Sequence, residues 1–298
     1  MNEKVIVVFG GTGFLGRRIV RALVAAGHRV RVAARRPSAV TFPDAGEQVL
    51  PVAVDIGDET LVIEAVAGAA AVVNAVSLYV EKGGLTFEAI HVQGAERIAR
   101  CAKAAGVERL VHISGIGVNV DSPSSYVQAR ARGERVVRAA FEQATLVRPS
   151  VMFGGDDAFL ASLEAVTRFP VVPLFGRGEN RLQPVYVMDV AVAVAQLAGQ
   201  AGDQGQIFEL GGGQIYSYRQ AVQAVMVHLG RKRLLLPVPF PLWQALVAVL
   251  GVLPNPPLTS DQLTLMKSDN IVGPGTKTFA DLGINPSSLE DLLEDCLP

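Results

Sequence analysis

A doubly wound α/β fold on a parallel sheet is what this 298-residue sequence predicts, and three observations predict it. A glycine-rich turn, Gly10-Gly11-Thr12-Gly13-Phe14-Leu15-Gly16, follows directly behind the apolar run Val5-Ile6-Val7-Val8-Phe9. Four more short apolar runs, near residues 28–34, 48–54, 70–76 and 109–114, alternate with helix-periodic stretches. The first run is apolar at consecutive rather than alternate positions, as a strand covered on both faces requires.

The first unit carries the clearest chemistry. After the turn, Ile19, Val20, Leu23 and Val24 recur at helical spacing, and Gly27 supplies a C-terminal stop. The glycines satisfy both GxGxxG (11, 13, 16) and GxxGxxG (10, 13, 16). Gly10 or Gly11 lets the chain leave the strand sharply, Gly13 leaves the backbone open to a pyrophosphate, and Gly16 lets the helix lie close to the sheet. The free N–H groups of the helix start then face the phosphates. Residues Gly10, Gly11, Thr12, Gly13, Phe14, Leu15 and Gly16 are therefore expected to bind a nicotinamide dinucleotide.

Composition narrows the remaining classes. The formal net charge of −1 points to neither nucleic acid nor an anionic surface as a partner. Cys101 and Cys296 make no disulfide framework and no zinc site, and none of the four histidines has a second ligand at metal spacing, so no metal is expected. The chain enters a strand almost at once, without a leader pattern. No apolar run reaches the ~18 residues of a membrane-spanning helix. A cytoplasmic location is expected.

The second strand, 28–34, ends at Arg35-Arg36, where NAD-binding units place an acidic residue on the ribose 2′-hydroxyl. With Arg17 just past the last glycine, these guanidinium groups match a 2′-phosphate, so NADP(H) is expected over NAD(H). Asp55-Ile56, after the third strand, could meet the adenine amino group and ring, or Asp55 could cap a turn before a helix near 61–66. Ala75 and Ser77, after the fourth strand, leave room for the cofactor to cross. A helix is predicted over 88–106, then the fifth strand ending at Ser114. If 126–134 is helical, Tyr126 and Arg130 share one face. A serine, a tyrosine and a cation could move a proton at a carbonyl or carbinol, the cation also holding the nicotinamide ribose.

Along nearly its whole length the chain resembles the extended and atypical short-chain dehydrogenase/reductase superfamily. The resemblance lies in the glycine turn, Asp55, Ser114, Tyr126, Gly133-Glu134, Val147-Arg148-Pro149-Ser150 and Gln183-Pro184-Val185-Tyr186-Val187-Met188-Asp189-Val190. It implies a Rossmann-type fold, with Pro149 near the nicotinamide. It also implies a catalytic trio Ser114, Tyr126 and Arg130, except that the family expects Tyr-x-x-x-Lys. Arginine keeps the charge and cannot relay a proton at neutral pH; the departure bears on catalysis and leaves cofactor binding untouched.

Within the superfamily the sequence looks most like the accessory NAD(P)H-binding subunit of respiratory complex I and its bacterial relatives. That likeness rests on Pro257-Leu258-Thr259-Ser260-Asp261-Gln262-Leu263, Leu265-Met266-Lys267-Ser268-Asp269-Asn270-Ile271-Val272 and Leu174-Phe175-Gly176-Arg177-Gly178. It implies a largely structural cofactor and a respiratory-complex or membrane-associated partner, at the inner face of a respiratory membrane. The alternative is an NADP-dependent oxidoreductase reducing a carbonyl or quinone-like substrate, with Tyr126 as acid/base.

Residues 1–150 read as the dinucleotide-binding core, and 151–298 as a mixed part holding the last core strands and a small C-terminal α/β cap. In the second part a strand is predicted over 145–151 and helices over 158–168, capped by Asp156 or Asp157, and 218–229, capped by Ser217. Gly211-Gly212-Gly213 offers a second glycine turn, but Gln214-Ile215-Tyr216-Ser217 separates it from the next helix, which argues against a phosphate loop. Arg231-Lys232-Arg233 reads as a solvated basic cluster. The stretch 242–253, with Gln244 its one polar side chain, reads as a buried helix of the cap or, more sharply, as an apolar surface that meets a partner subunit, a membrane face or a prenyl-tailed substrate. The chain closes with segments at Phe279–Leu282 and 289–295.

Overall fold

The computed structural model describes residues 5–200, 202–250 and 258–297. The first half runs β1 (Val5–Phe9), α1 (Phe14–Ala25), β2 (Arg29–Ala34), β3 (Val49–Ala53), α2 (Glu59–Val66), β4 (Ala69–Asn74), α3 (Ala95–Ala104), β5 (Arg109–Ile113), α4 (Ser125–Ala140) and β6 (Thr145–Pro149). The second half runs β7 (Met152–Phe153), α5 (Ala158–Val166), β8 (Val171–Phe175), β9 (Arg181–Leu182), β10 (Val185–Tyr186), α6 (Val187–Gly199), β11 (Ile207–Leu210), β12 (Tyr216–Ser217), α7 (Tyr218–His228), β13 (Leu234–Val238), α8 (Phe240–Leu250), α9 (Ser260–Leu265) and α10 (Leu293–Cys296).

Seven strands form the central sheet in the order β11-β6-β5-β4-β1-β2-β3, every neighbouring pair parallel. The order reverses between β1 and β4, which opens a crevice at their C-terminal ends. On one face, Ile19, Val20 and Leu23 of α1 pack with Val190 and Val194 of α6. On the other, Val62 and Val66 of α2, Ile98 of α3 and Val137 of α4 cover the sheet. A separate apolar cluster (Phe153, Leu160, Leu163, Val172, Leu174, Val222, Val225, Leu293) is the core of the C-terminal cap.

Several sequence boundaries move, each for a local reason. β4 stops at Asn74 rather than Val76 because the Asn74 side chain accepts the Val76 N–H at 3.2 Å and turns the chain. The helix expected over 88–106 begins as a wide π-type stretch, Glu88–Gly94, before α3. Asp157 caps α5, accepting from Leu160 N at 2.7 Å, and Ser217 caps α7 in a reciprocal capping box with Gln220. The 211–213 glycines serve packing: a Cβ on Gly212 would lie 1.8 Å from the Pro184 carbonyl oxygen.

The largest correction concerns the apolar stretch after residue 242. It forms most of α8, and the reading as a buried helix fails: Val247 is its one buried residue, while Leu242 is 62% and Val249 69% exposed. Residues 251–253, like Pro257, lie outside the described residues. No helix among the described residues is long and apolar enough to cross a membrane.

Asn270 fastens the C-terminal segment to the core. Its Oδ1 accepts from Ser150 Oγ at 2.7 Å and Val151 N at 2.8 Å, and its backbone N–H donates to Arg181 O at 2.8 Å. Gln183, in turn, donates to Gly212 O at 2.9 Å and accepts from Val272 N at 3.0 Å.

Candidate dinucleotide site

The glycine turn divides its work among its residues. Gly10 takes the sharp bend at φ +75°, and a Cβ there would meet Ala75 O at 2.8 Å. Gly16 gives the close approach of helix to strand, since its Cβ would fall 2.0 Å from Gly10 O. Gly11 packs against Val32, and Leu15 is buried in the core. Gly13 is exposed, with Gly10 O the one atom near its hypothetical Cβ, at 3.2 Å. α1 starts there with no side-chain cap. Its first-turn N–H groups thus end in an open glycine, the arrangement a pyrophosphate needs. Thr12 and Phe14 are half-buried on the same turn.

The arginines separate into two sets. Arg35 and Arg36 are exposed beyond the end of β2, with no ion pair among the described residues. Arg17 and Arg18 both pair with the carboxylate of Asp156, and Arg18 also lies over the Phe14 ring at 4.3 Å. The Asp156 pairing commits the Arg17 charge to a link between α1 and the loop before α5.

Asp55 is exposed and its Oδ1 accepts from Gly57 N at 2.8 Å, a turn-capping bond; the helix cap is Asp58. Ile56 is 7% exposed and sits in the core. Its Cδ1 lies 2.5 Å from where a Cβ on Gly94 would be, so its side chain fills the gap over Gly94.

Ser114, Tyr126 and Arg130 come from β5's end and α4 and are all buried. Arg130 Nη1 donates to the Tyr126 hydroxyl. Among the described residues, Ser114 Oγ and Arg130 Nε are buried without a hydrogen-bond partner, two donors left unsatisfied. Burial pushes the Tyr126 phenol above its ordinary pKa; Arg130 pulls the other way without overcoming it. Pro149 ends β6, its carbonyl accepting from Ile116 N at 3.1 Å.

Around the trio stands a set of groups that sequence motifs did not mark. Tyr79, Phe87 and His91 surround the Tyr126 ring at centroid distances of 5.7, 5.5 and 5.6 Å. His91 Nε2 lies 2.9 Å from Leu78 O, and His112 Nδ1 lies 3.2 Å from Asn74 Nδ2. Burial lowers both histidines to about 4, with the Arg130 charge adding to it, so both are neutral at physiological pH. Gly133 allows α4 to touch this layer, because a Cβ there would lie 2.1 Å from His91 O. The motif pairs with the structure here: Glu134 and Arg148 are ion-pair partners.

A parallel sheet with a switch point at β1 and β4, an uncapped helix start behind an open glycine and unpartnered buried donors over the crevice define a Rossmann-type dinucleotide-binding protein. The chain belongs to the NAD(P)H-binding family, which its residues 10–161 match. It is 32% identical to the mitochondrial NADH dehydrogenase [ubiquinone] 1 alpha subcomplex subunit 9 of Arabidopsis thaliana, over 96% of this chain and 75% of that one. It is also 32% identical to the mitochondrial NADH-ubiquinone oxidoreductase 40 kDa subunit of Neurospora crassa, over 95% and 76% respectively. The crystal structure of an NADPH-dependent quinone oxidoreductase from Escherichia coli, complexed with NADPH, superposes with a TM-score of 0.78. It is 20% identical and covers 97% of this chain and 98% of that one, a likeness of fold. The protein is thus an NAD(P)H-binding protein homologous to complex I accessory subunits.

Proposed function

We propose that this protein keeps NADP(H) as a standing part of its structure and serves as an accessory subunit of a respiratory NADH dehydrogenase, peripheral at the inner, cytoplasmic face of the membrane. The observation that carries the reading is Arg130, whose guanidinium donates to the Tyr126 hydroxyl. A guanidinium holds its proton at neutral pH, so no relay runs through it, and the phenol it touches is pushed up by burial. The complex I subunits among its relatives supply the role.

On this reading residues 1–150 hold the dinucleotide, and 151–298 complete the sheet and present the cap to a partner. Gly10–Gly16 take the pyrophosphate, Arg35 and Arg36 the 2′-phosphate, and Asp55 the adenine amino group through the oxygen its turn leaves over. Ala75 and Pro149 line the crossing, while Ser114, Tyr126 and Arg130 meet the nicotinamide end. When bound, the dinucleotide carries a transferable hydride; Ser114 Oγ, without a partner among the described residues, is the group that supports the second reading. In that reading the chain is a reductase of carbonyls or quinones, with Tyr126 giving the proton.

A single-turnover experiment separates the two. The protein is loaded with NADPH, its bound-cofactor fluorescence is followed, and quinones and carbonyl compounds are added one at a time. Slow exchange with no acceptor-dependent decay is the expected result. Fast decay with any acceptor overturns the structural role.

A further inference from the structure

α8 is apolar but for Gln244 and is one of the least covered helices among the described residues. From Leu234 to Leu250 the chain is uncharged, with Gln244 its single polar side chain. One face of α8 is spoken for. The Phe240 ring lies 3.0 Å from where a Cβ on Gly176 would be, and Trp243 stacks on Phe175 at 4.6 Å while donating its indole N–H to Leu174 O at 3.1 Å. Val247 is buried. The opposite face carries Leu242, Leu246 and Val249 at helical spacing, 62%, 44% and 69% exposed. Just before α8, β13 pairs with β8 so that Leu234 meets Val171, and both are exposed, as is Leu236. A helix apolar all round needs a cover, and an 11-residue helix of ~16 Å cannot cross a bilayer.

Charge says what the cover is. Between Glu209 and Asp261 the sequence contains no acidic residue, yet it holds Arg219, Arg231, Lys232 and Arg233 in a chain whose net charge is −1. Arg231 is paired with Glu164, whereas Lys232 and Arg233 have no carboxylate partner among the described residues. Together with Met226, Val227 and Leu234, these three basic residues line a shallow surface hollow. Lys267 Nζ sits 5.5 Å over the Phe240 ring, where β13 gives way to α8. Apolar side chains beside cations without a carboxylate partner match the boundary of an anionic bilayer, where apolar groups enter the acyl region and cations meet phosphates.

We propose that α8 and the β8–β13 ribbon dock this protein onto an anionic phospholipid surface. Leu242, Leu246 and Val249 enter the interface, and Lys232, Arg233 and Lys267 bind lipid phosphates. The proposal deepens the peripheral placement above and rests on that reading for its setting alone, since nothing in it requires the dinucleotide site.

The test is co-sedimentation of the whole protein with phosphatidylcholine vesicles, with and without phosphatidylglycerol, alongside NADPH binding on the same samples. Trp243 is the chain's single tryptophan, so quenching of its emission by brominated lipid reads contact of α8 with the bilayer. Binding to phosphatidylglycerol vesicles that weakens with salt is expected. Lys232→Glu with Arg233→Glu should lower it at least ~10-fold, and Leu242→Asp with Val249→Asp by a similar factor, with NADPH affinity unchanged in each. Lack of binding to anionic vesicles overturns the proposal, as does binding that neither pair of substitutions alters. So does a concentration-dependent dimer in sedimentation velocity that Leu242→Asp with Val249→Asp dissolves, which would assign the face to a second copy. Loss of NADPH binding with vesicle binding intact would instead count against the cofactor reading.

Discussion

Glu134 and Arg148 meet in a two-pronged ion pair, Nε to Oε1 at 2.9 Å and Nη2 to Oε2 at 2.7 Å. The third nitrogen, Nη1, reaches Glu209 at 3.2 Å, and Glu209 Oε2 accepts from Gly273 N at 2.8 Å. Helix α4, strands β6 and β11 and the C-terminal segment are thus tied through one guanidinium. Both carboxylates are buried, so Arg148→Met strands two charges and should cost about 3–5 kcal/mol in urea unfolding. Arg148→Lys keeps the charge without the fork and should recover part of this.

Gly16→Ala should remove dinucleotide binding, because a Cβ 2.0 Å from Gly10 O forces α1 away from the turn. Gly133→Ala brings a Cβ within 2.1 Å of His91 O and should lower stability by about 1–3 kcal/mol. Calorimetric titration with NADPH and thermal unfolding measure the two effects.

Arg130→Lys replaces the permanently charged fork with a group able to exchange its proton. Under the structural reading, oxidation of bound NADPH stays undetectable in both forms across the acceptor panel. A gain in turnover would show that Ser114 and Tyr126 needed only the lysine.

Arg35→Ala with Arg36→Ala should weaken NADPH by roughly 10- to 100-fold, the worth of one or two charge-assisted contacts. NADH affinity should change little. Equal loss for both nucleotides would remove the 2′-phosphate assignment.

His91 and His112 should make the protein acid-sensitive. Their folded values of about 4 lie below the 6.5 of an exposed histidine. Between those limits the unfolded chain binds protons that the folded one refuses, so stability present above pH 6.5 is lost as pH falls toward 4. The loss reaches roughly 3 kcal/mol for each. Melting temperatures at pH 7 and pH 5 should differ, and His112→Gln should shrink the difference.

The strands and the glycine turn were readable because their signals are local: consecutive apolar residues, a glycine spacing, a cap three residues before the N–H that it accepts from. So were Ser114, Tyr126 and Arg130, four residues and one turn apart on α4 or at a strand end. What escaped is long-range. Asp156 claims Arg17 from 139 positions away, a distance no spacing rule covers. The neutral histidines carry no motif, since burial alone sets their charge. Ile56 follows Asp55 in sequence yet turns inward to fill the space over Gly94. α8 misled for the opposite reason: apolar composition reports that a surface wants cover and is silent on whether the chain itself provides it.

The packing of α6 against α1 has a consequence for synthesis. Val190 and Val194 close the same core as Ile19, Val20 and Leu23, and β11 supplies the sheet's outermost strand beside β6. A nascent chain that has cleared the ribosome only as far as residue 150 therefore has its nucleotide turn in hand but lacks one wall and one edge of the layer around it. The glycine motif is translated early and matures late: the tunnel must release residue 210 before the sheet can close, so NAD(P)H meets the completed layer only after β11 has emerged.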